Sequence, residues 1–200
     1  NDFLVRHNSK DWGKVSLQIP GRHNVANALA AVAAAAEVGA SPEAIQAGLR
    51  QFQGTGRRFE LRGTYRGAQL YDDYAHHPTE VRATLAAARE RGPARLWAVF
   101  QPHTAHRLKS LFEEFVTAFG EADRVLVVDV YRPPGREREK QELTSADLVR
   151  AMHHPGAKYI GPLAKAAEYL AEELREGDLA LIMGAGDVTK ITEGLLAREK

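Results

Sequence analysis

The segment LALIMGAGD, residues 179–187, contains five apolar residues followed by a glycine-rich turn. A strand that is apolar at every position must be covered on both faces, which is typical of the parallel sheets of α/β proteins. Two further segments also lack polar alternation, LWAVF at 96–100 and VLVVDV at 125–130, although the second contains Asp129. We therefore predict an α/β fold with a mostly parallel sheet and helices on both faces.

The chain beyond residue 57 begins with two strand-like segments and then alternates between helix and strand. The predicted strands are 60–65, 68–73, 95–101, 124–130, 158–161 and 179–183. The predicted helices are 78–91, 107–119, 145–153, 163–176 and 188–199. This order agrees with a mostly parallel sheet.

The first 56 residues have a different pattern. We predict strands at 1–6 and 14–19, and a helix at 25–38 that Asn24 caps and Gly39 ends. A second helix should run from Pro42 to about residue 52, with Ser41 as its cap. The segment QGTGRR at 53–58 has the glycines and charges of an interdomain connection. We therefore predict two domains, 1–56 and 57–200.

The composition excludes several classes of protein. With 27 lysines and arginines against 26 aspartates and glutamates, the net charge of +1 provides no overall field to attract nucleic acid. The chain has no cysteine, so disulfides, thiolate catalysis and cysteine-based metal sites are excluded. Its longest apolar stretch, 28–36, is about half the length of a membrane-spanning helix. We expect a cytoplasmic protein that binds neither nucleic acid nor membrane.

Unusual polar residues follow four of the predicted strands. Ligands of open α/β sheets bind at the carboxyl ends of the strands, where loops converge and helix N-termini point at the ligand. These segments therefore predict one binding site. They are YDDYAHHP at 71–78, FQPHTAHR at 100–107, DVYRPPG at 129–135 and MGAGD at 183–187.

Single residues in these segments have structural as well as functional explanations. Asp73 can end a strand by accepting hydrogen bonds from turn amides. His103 and Arg107 can belong to a solvated loop in which the arginine pairs with a surface carboxylate. Their position at strand ends, shared with His76, favours function. The charged tract RPPGREREK at 132–140 is expected to be a solvated loop.

Two pairs of residues remain ambiguous from the sequence. Gly184 and Gly186 permit either a close approach to a ligand or tight packing of strand and helix. Asn24 is a good helix cap. Asn27, in an alanine-rich helix, is costly unless its amide meets a polar partner, and an amide suits the edge of an adenine.

Five strings of the sequence, in their order and spacing, resemble the Mur ligases, ATP-dependent enzymes that build the peptidoglycan stem peptide. The resemblance covers almost the whole chain. DDYAHHPTE followed by FQPH is particular to the branch that adds L-alanine to UDP-N-acetylmuramate. The strings are GRHNVANALAA (21–31), FQGTGRRFE (52–60), YDDYAHHPTEV (71–81), FQPH (100–103) and MGAGD (183–187).

The resemblance implies a fold and a reaction. Residues 1–56 would be the C-terminal portion of the central ATP-binding domain, and 57–200 the Rossmann-like C-terminal domain. ATP, with Mg²⁺, would phosphorylate the lactyl carboxylate of UDP-N-acetylmuramate. The amine of L-alanine would then attack the acyl phosphate. Of the ATP contacts, the resemblance assigns the adenine to Asn24 and Asn27, the phosphates to Arg58 and the ribose to Asp73.

The resemblance also implies an amino-acid site. His76 and Arg107 would be its catalytic residues and would hold the alanine carboxylate, with His103 close by; no metal ligand is implied within the chain. Two positions depart from the family pattern. Thr104 stands where some relatives have arginine, and His106 precedes Arg107 where a small hydroxyl residue is common. Arg107 is therefore the main carboxylate anchor.

Two other classes of function are open on the sequence alone. The first is a metal-dependent hydrolase that uses the oxygen and imidazole groups of the DDYAHH string. Against it, His76 and His77 are adjacent in this string, whereas metal-binding helices present their two histidines at i, i+4. The second is a non-catalytic nucleotide-binding module. Within the family, the ligase that recycles the murein tripeptide is the nearest competitor, and FQPH argues against it.

No stretch of the 200 residues fits the phosphate-loop pattern G-x-x-x-x-G-K-[ST]. We expect this loop, the UDP-binding domain and the magnesium ligands to lie upstream of Asn1. These 200 residues alone should therefore show no ligase turnover and only weak ATP binding. The test is phosphate release from ATP, UDP-N-acetylmuramate and L-alanine, and release at an ordinary enzymatic rate would contradict the expectation.

Overall fold

The computed structural model describes residues 2–7, 9–133, 135 and 143–199. Asn1 and most of the tract 132–140, which we expect to be a loop, lie outside these ranges. By its contacts the chain divides into two units, Asn1–Gly56 and Arg57–Lys200. None of the helices in the described ranges is long and apolar enough to cross a membrane.

The first unit consists of a hairpin and two helices. The strands β1 (Asp2–His7) and β2 (Lys10–Ser16) pair antiparallel. The helices are α1 (Arg22–Glu37) and α2 (Pro42–Gln51). Their small core is built from apolar side chains of all four elements: Val5, Val15 and Val32, with Phe3, Trp12, Ile45 and Leu49 packed against them.

Two predictions for this unit are confirmed and two are wrong. Ser41 caps α2 by accepting a hydrogen bond from the Ala44 N–H, and Gly39, at φ 83°, follows the end of α1. The predicted strand 14–19 is wrong, because a strand extends only where it has a partner, and β1 pairs with Lys10–Ser16. The predicted Asn24 cap is also wrong. Gly21, at φ 98°, takes the N-cap position.

The second unit alternates strands and helices as predicted. Its strands are β3 (Glu60–Tyr65), β4 (Ala68–Asp73), β5 (Leu96–Phe100), β6 (Arg124–Val128), β7 (Ala157–Gly161) and β8 (Leu179–Met183). Its helices are α3 (Pro78–Arg89), α4 (Ala105–Ser110), α5 (Phe112–Val116), α6 (Ser145–Ala151), α7 (Leu163–Glu173) and α8 (Lys190–Ala197). The predicted single helix 107–119 is wrong, because the backbone leaves helical geometry at Leu111.

The six strands form one sheet in the order β3-β4-β8-β5-β6-β7. All neighbours from β4 onward are parallel, whereas β3 pairs antiparallel with β4. Arg66 and Gly67, with φ of 49° and 77°, form the two-residue turn of that hairpin, and left-handed residues at both positions suit the twist of the flanking strands. The predicted mostly parallel sheet is confirmed.

Helices cover both faces of this sheet. Alternate residues of the strands face opposite sides, so Ala98 and Phe100 belong to one apolar core and Trp97 and Val99 to the other. The first core includes Leu85 of α3 and side chains of α4, α5 and α6, and the second includes side chains of α7 and α8. All five residues of β5 and of β8 are buried. This burial explains why their sequences lack polar alternation.

One buried carboxylate, immediately before the first residue of β8, offers a test of the fold. Asp178 is 2% exposed. It accepts hydrogen bonds from the Arg95 guanidinium at 2.9 and 2.6 Å and from Trp97 Nε1 at 3.2 Å. Asp178→Ala leaves the buried Trp97 donor unpaired, while the partly exposed Arg95 can be hydrated. We expect unfolding in urea to show a loss of about 2–3 kcal/mol.

The matched control is Arg150→Ala, which removes only the exposed ion pair with Asp147. It should change the free energy of unfolding by no more than about 0.5 kcal/mol. An Asp178→Ala variant as stable as this control would contradict the structural role.

Candidate functional site

The carboxyl ends of β4, β8, β5 and β6 lie side by side, because these strands are parallel neighbours in that order. Main-chain hydrogen bonds continue past the strand ends. The Gly184 N–H donates to the Asp73 carbonyl at 3.0 Å, and the Gln101 N–H donates to the Met183 carbonyl at 2.9 Å. The loops that follow the four strands therefore begin together.

Asp73, the last residue of β4, organises the first of these loops. It is 6% exposed, and its Oδ1 accepts from the Ala75 N–H at 2.7 Å. Its Oδ2 accepts from the Phe59 N–H at 2.8 Å and the Thr84 hydroxyl at 3.1 Å. Burial raises the pKa of Asp73, although these donors and the Arg58 charge act against the shift. The carboxylate thus ties the segment around Phe59 to the turn before α3.

Two neighbours of Asp73 have structural partners instead. Asp72 is fully buried and bonded to the Thr192 hydroxyl at 2.5 Å and the Arg62 guanidinium at 2.9 Å. Burial raises its pKa as well. His77 is the N-cap of α3 and forms a reciprocal capping box with Glu80. Among the described residues, no group of three or more histidine and carboxylate side chains could hold a metal ion.

Glu80 joins Arg58 to His76. Its Oε1 lies 3.6 Å from Arg58 Nη1, and its Oε2 lies 3.4 Å from His76 Nδ1. Burial acts to raise the pKa of Glu80, but the N–H groups of His76 and His77 and the charges of His76 and Arg58 outweigh it and hold the pKa below its usual value. The Arg58 guanidinium also lies over the Tyr74 ring, 5.3 Å from its centroid.

Hydrogen bonds assign the protons of His76 and His103. His76 Nδ1 lies 2.9 Å from the Tyr74 carbonyl, which can only accept, so Nδ1 carries a proton. His103 Nδ1 lies 3.2 Å from Arg107 Nη1, which can only donate, so His103 Nδ1 carries none and the ring is neutral. The two rings are neighbours, with centroids 6.1 Å apart. When His76 is neutral too, the two rings are opposite tautomers, with the proton on Nδ1 in His76 and on Nε2 in His103.

Arg107 is held at the start of α4. Thr104 is the N-cap of this helix, with φ of 68°, and its hydroxyl accepts from the Arg107 N–H at 3.4 Å. The side chain of Arg107 is half-buried. It lies in the first turn of α4, and its guanidinium is beside His103.

The loop between β8 and α8 closes the cluster on its other side. Arg57 Nη2 donates to the Gly184 carbonyl at 2.7 Å and the Gly186 carbonyl at 3.0 Å. Gln101, 4% exposed, donates from Nε2 to Asp187 Oδ1 at 2.9 Å. Burial acts to raise the pKa of Asp187, but the Gln101 amide and Lys190 outweigh it and lower the pKa.

The structure brings together five of the seven site residues that the sequence predicts. Contacts run from Arg58 through Glu80 to His76, His103 and Arg107, and Asp73 anchors the Phe59 N–H beside Arg58. The other two, Asn24 and Asn27, lie on α1 in the first unit. Asn24 Nδ2 donates to the Pro20 carbonyl at 2.6 Å, and Asn27 Nδ2 to Asn24 Oδ1 at 3.4 Å.

Sequence reasoning missed four residues that line or support this cluster. They are Arg57, Tyr74, Glu80 and Tyr131, all within or beside the strings that drew attention to the site. The Tyr131 ring is stacked with the His103 ring. The arginine doublet at 57–58 gave no means of deciding which arginine faces the loop carbonyls. With its convergent guanidinium and imidazole groups, the cluster is suited to binding an anion such as a carboxylate or phosphate.

The chain matches a known protein family. The family model described as Mur ligase, glutamate ligase domain, matches residues 57–186. Among curated proteins, the chain is 43% identical over 199 residues to a UDP-N-acetylmuramate–L-alanine ligase of Alkaliphilus metalliredigens, which covers 98% of this chain and 43% of the relative. A protein of the same name from Gloeobacter violaceus is 48% identical over 190 residues, covering 93% of the chain and 40% of the relative.

Solved structures of ligases also superimpose on the chain. The UDP-N-acetylmuramate-alanine ligase of Thermotoga maritima superimposes with a TM-score of 0.79 at 27% identity, covering 99% of this chain and 42% of that one. A murein peptide ligase from Psychrobacter arcticus gives a TM-score of 0.71 at 28% identity, covering 98% and 41%. The chain thus spans about two fifths of the length of the curated relatives it matches.

The hydrogen bond from Thr84 to Asp73 predicts that the effect of Thr84→Val on stability depends on pH. The pKa of an aspartate is about 3.9 in the unfolded chain. When the pKa is higher in the folded chain, the folded state loses stability as the pH rises from the unfolded pKa to the folded pKa. Removing the Thr84 hydroxyl should raise the folded pKa of Asp73 further. Thr84→Val should therefore lose about 1–2 kcal/mol more at neutral pH than in acid.

Urea unfolding of the variant and the unmodified chain over a pH series measures this difference. The control is Thr117→Val, whose hydroxyl accepts from the Arg82 guanidinium and touches no carboxylate in the described structure. Its effect should not vary with pH. An equally flat profile for Thr84→Val would show that the hydroxyl does not stabilise the charged form of Asp73.

Proposed function

We propose a function for this chain from one premise, that it belongs to the Mur ligase family. It is part of a cytoplasmic ATP-dependent ligase that adds L-alanine to UDP-N-acetylmuramate. Residues 1–56 are the C-terminal portion of the ATP-binding domain, and residues 57–200 form the domain that brings the amino acid. The observation that carries this proposal is the cluster of Arg107, His103 and His76 at one edge of the sheet.

Arg107 is the anchor for the alanine carboxylate. Its only hydrogen-bond acceptor among the described side chains is the neutral His103 Nδ1, at 3.2 Å. Guanidinium groups bind a carboxylate through two parallel hydrogen bonds that are about twice as strong as neutral ones. Arg107 can therefore keep His103 on one nitrogen and still grip a carboxylate with others. Holding the carboxylate in this way orients the amine for attack.

His76 completes the amino-acid site. Because its Nδ1 donates to the Tyr74 carbonyl, its Nε2 is the ring atom that is left for a substrate. In the neutral ring Nε2 accepts a hydrogen bond, and in the protonated ring it donates one to an anion. His76 thus offers a second polar group for the carboxylate.

The residues proposed to bind ATP differ in how well their surroundings suit the nucleotide. The Arg58 side chain is 49% exposed and has a long ion pair, 3.6 Å, to Glu80, so it suits a phosphate whose charge must be neutralised. Asp73 receives three donors, which leaves about one lone-pair site of its carboxylate for a ribose hydroxyl. The half-buried amide of Asn24 and the exposed amide of Asn27 suit an adenine edge.

When bound, ATP supplies the phosphoryl group that activates the carboxylate of UDP-N-acetylmuramate. The described residues offer no set of three metal-binding side chains. We therefore assign no step to Mg²⁺ within this chain.

The proposal predicts the kinetics of Arg107 variants in the ligase that contains this chain. Arg107→Gln should raise the KM for L-alanine by roughly 10- to 100-fold, because a charged hydrogen-bonding partner is worth about 1.5–3 kcal/mol. Arg107→Lys should be intermediate, since lysine is a point charge and cannot bind bidentately. The KM values for ATP and UDP-N-acetylmuramate should change little.

Phosphate release at varied L-alanine concentration gives these constants. Arg150→Gln is the matched control, because it alters an exposed arginine paired only with Asp147. An unchanged KM for L-alanine in Arg107→Gln would exclude Arg107 as the anchor.

A further inference from the structure

Tyr131 lies three residues beyond the end of β6, yet its main chain is fixed as firmly as a strand. Its N–H donates to the Pro102 carbonyl at 2.8 Å, and its carbonyl accepts from the Thr104 N–H at 3.2 Å. These two bonds form an isolated parallel bridge between His103 and Tyr131. The backbone on both sides of His103 is therefore held by Tyr131.

The ring of Tyr131 lies against His103. The two rings are stacked, with centroids 5.3 Å apart and planes inclined by 18°. Gly186 packs against the same tyrosine ring, because a Cβ added at Gly186 would lie 2.5 Å from Tyr131 Cγ and 2.6 Å from its Cδ2. Such a Cβ would also lie 2.5 Å from Gln101 Oε1. Only glycine lets this loop approach so closely.

The orientation of the His103 ring determines what Arg107 can do. Nδ1 of His103 accepts from Arg107 Nη1, and rotation of the imidazole would remove that acceptor. The stacked Tyr131 ring opposes rotation of the imidazole out of its present plane, because the flat contact would then be lost. The Gly186 loop in turn holds Tyr131, and Arg57 fixes this loop through the Gly186 carbonyl.

We propose that Tyr131 is a positioning residue for the amino-acid site: its ring, backed by Gly186, holds the His103 imidazole that orients the Arg107 guanidinium. Tyr131 acts through His103 and need not touch the substrate. The catalytic consequence rests on the proposed ligase function. The positioning itself does not, so the two can be tested separately.

Nuclear magnetic resonance of the histidine rings in the 200-residue chain tests the positioning. In the unmodified chain, the ¹⁵N shifts of His103 should show one tautomer, with Nδ1 unprotonated, and its ring protons should show the ring-current shift of a stacked aromatic neighbour. Tyr131→Phe should retain both features. Tyr131→Leu, which keeps apolar bulk without a flat ring, should lose the ring-current shift and move the ¹⁵N shifts toward a tautomer mixture.

A double-mutant cycle decides whether Gly186 acts through the tyrosine ring. Gly186→Ala should perturb the His103 resonances in the unmodified chain and should have a smaller effect in a Tyr131→Ala background, which lacks the Cγ that the new Cβ would meet. Tyr159→Leu is the control, because Tyr159 lies on the edge strand β7 and its hydroxyl donates to Asp129. His103 resonances that stay unchanged in Tyr131→Leu, or equal effects of Gly186→Ala in both backgrounds, would overturn the proposal.

Kinetics in the ligase that contains the chain provide the second readout. Tyr131→Leu should raise the KM for L-alanine about tenfold, the effect of roughly 1.4 kcal/mol, with the KM for ATP unchanged and Tyr131→Phe close to normal. A normal KM for L-alanine in a variant whose His103 has lost its tautomer would overturn the positioning role. If the enzyme adds no L-alanine at all, the ligase function fails, whereas the resonance result still decides the role of Tyr131.

Discussion

Parallel pairing of β4, β8, β5 and β6 is the constraint on which the rest of the structure depends. Parallel strands buried on both faces place their carboxyl ends at one edge of the sheet. Residues as far apart in sequence as Arg58 and Arg107 therefore contribute to one cluster. Without this pairing, the polar strings that follow the strands would be unrelated surface loops.

Charged groups are concentrated at the carboxyl ends of these strands, although the net charge of the molecule is only +1. Three arginines, Arg57, Arg58 and Arg107, belong to the cluster, and Glu80 forms an ion pair with Arg58. Hydrogen bonds add direction to this charge, because Nδ1 donates in His76 and accepts in His103. An anion that enters the site thus meets groups whose donors and acceptors are already arranged, which reduces the cost of ordering them.

Much of the fold could be predicted from the sequence, and less of the site. Strands such as β3, β4 and β8 have strong apolar or hairpin patterns, and their predicted bounds agree with the structure. The break at Leu111 and the Gly21 cap escaped prediction, because apolar periodicity continues across the first and Asn24 is a good cap by type. Tyr131 was missed because its partners, His103 and Gly186, come from distant strands.

The most direct test of the account is where L-alanine binds on the chain. Titration with L-alanine, followed through the side-chain resonances of arginine and histidine, should shift Arg107, His76 and His103 together. L-Alaninamide, which has the same methyl and amine but no carboxylate, should leave these resonances unchanged. Equal shifts with both compounds, or shifts confined to residues away from the carboxyl edge of the sheet, would contradict a carboxylate site there.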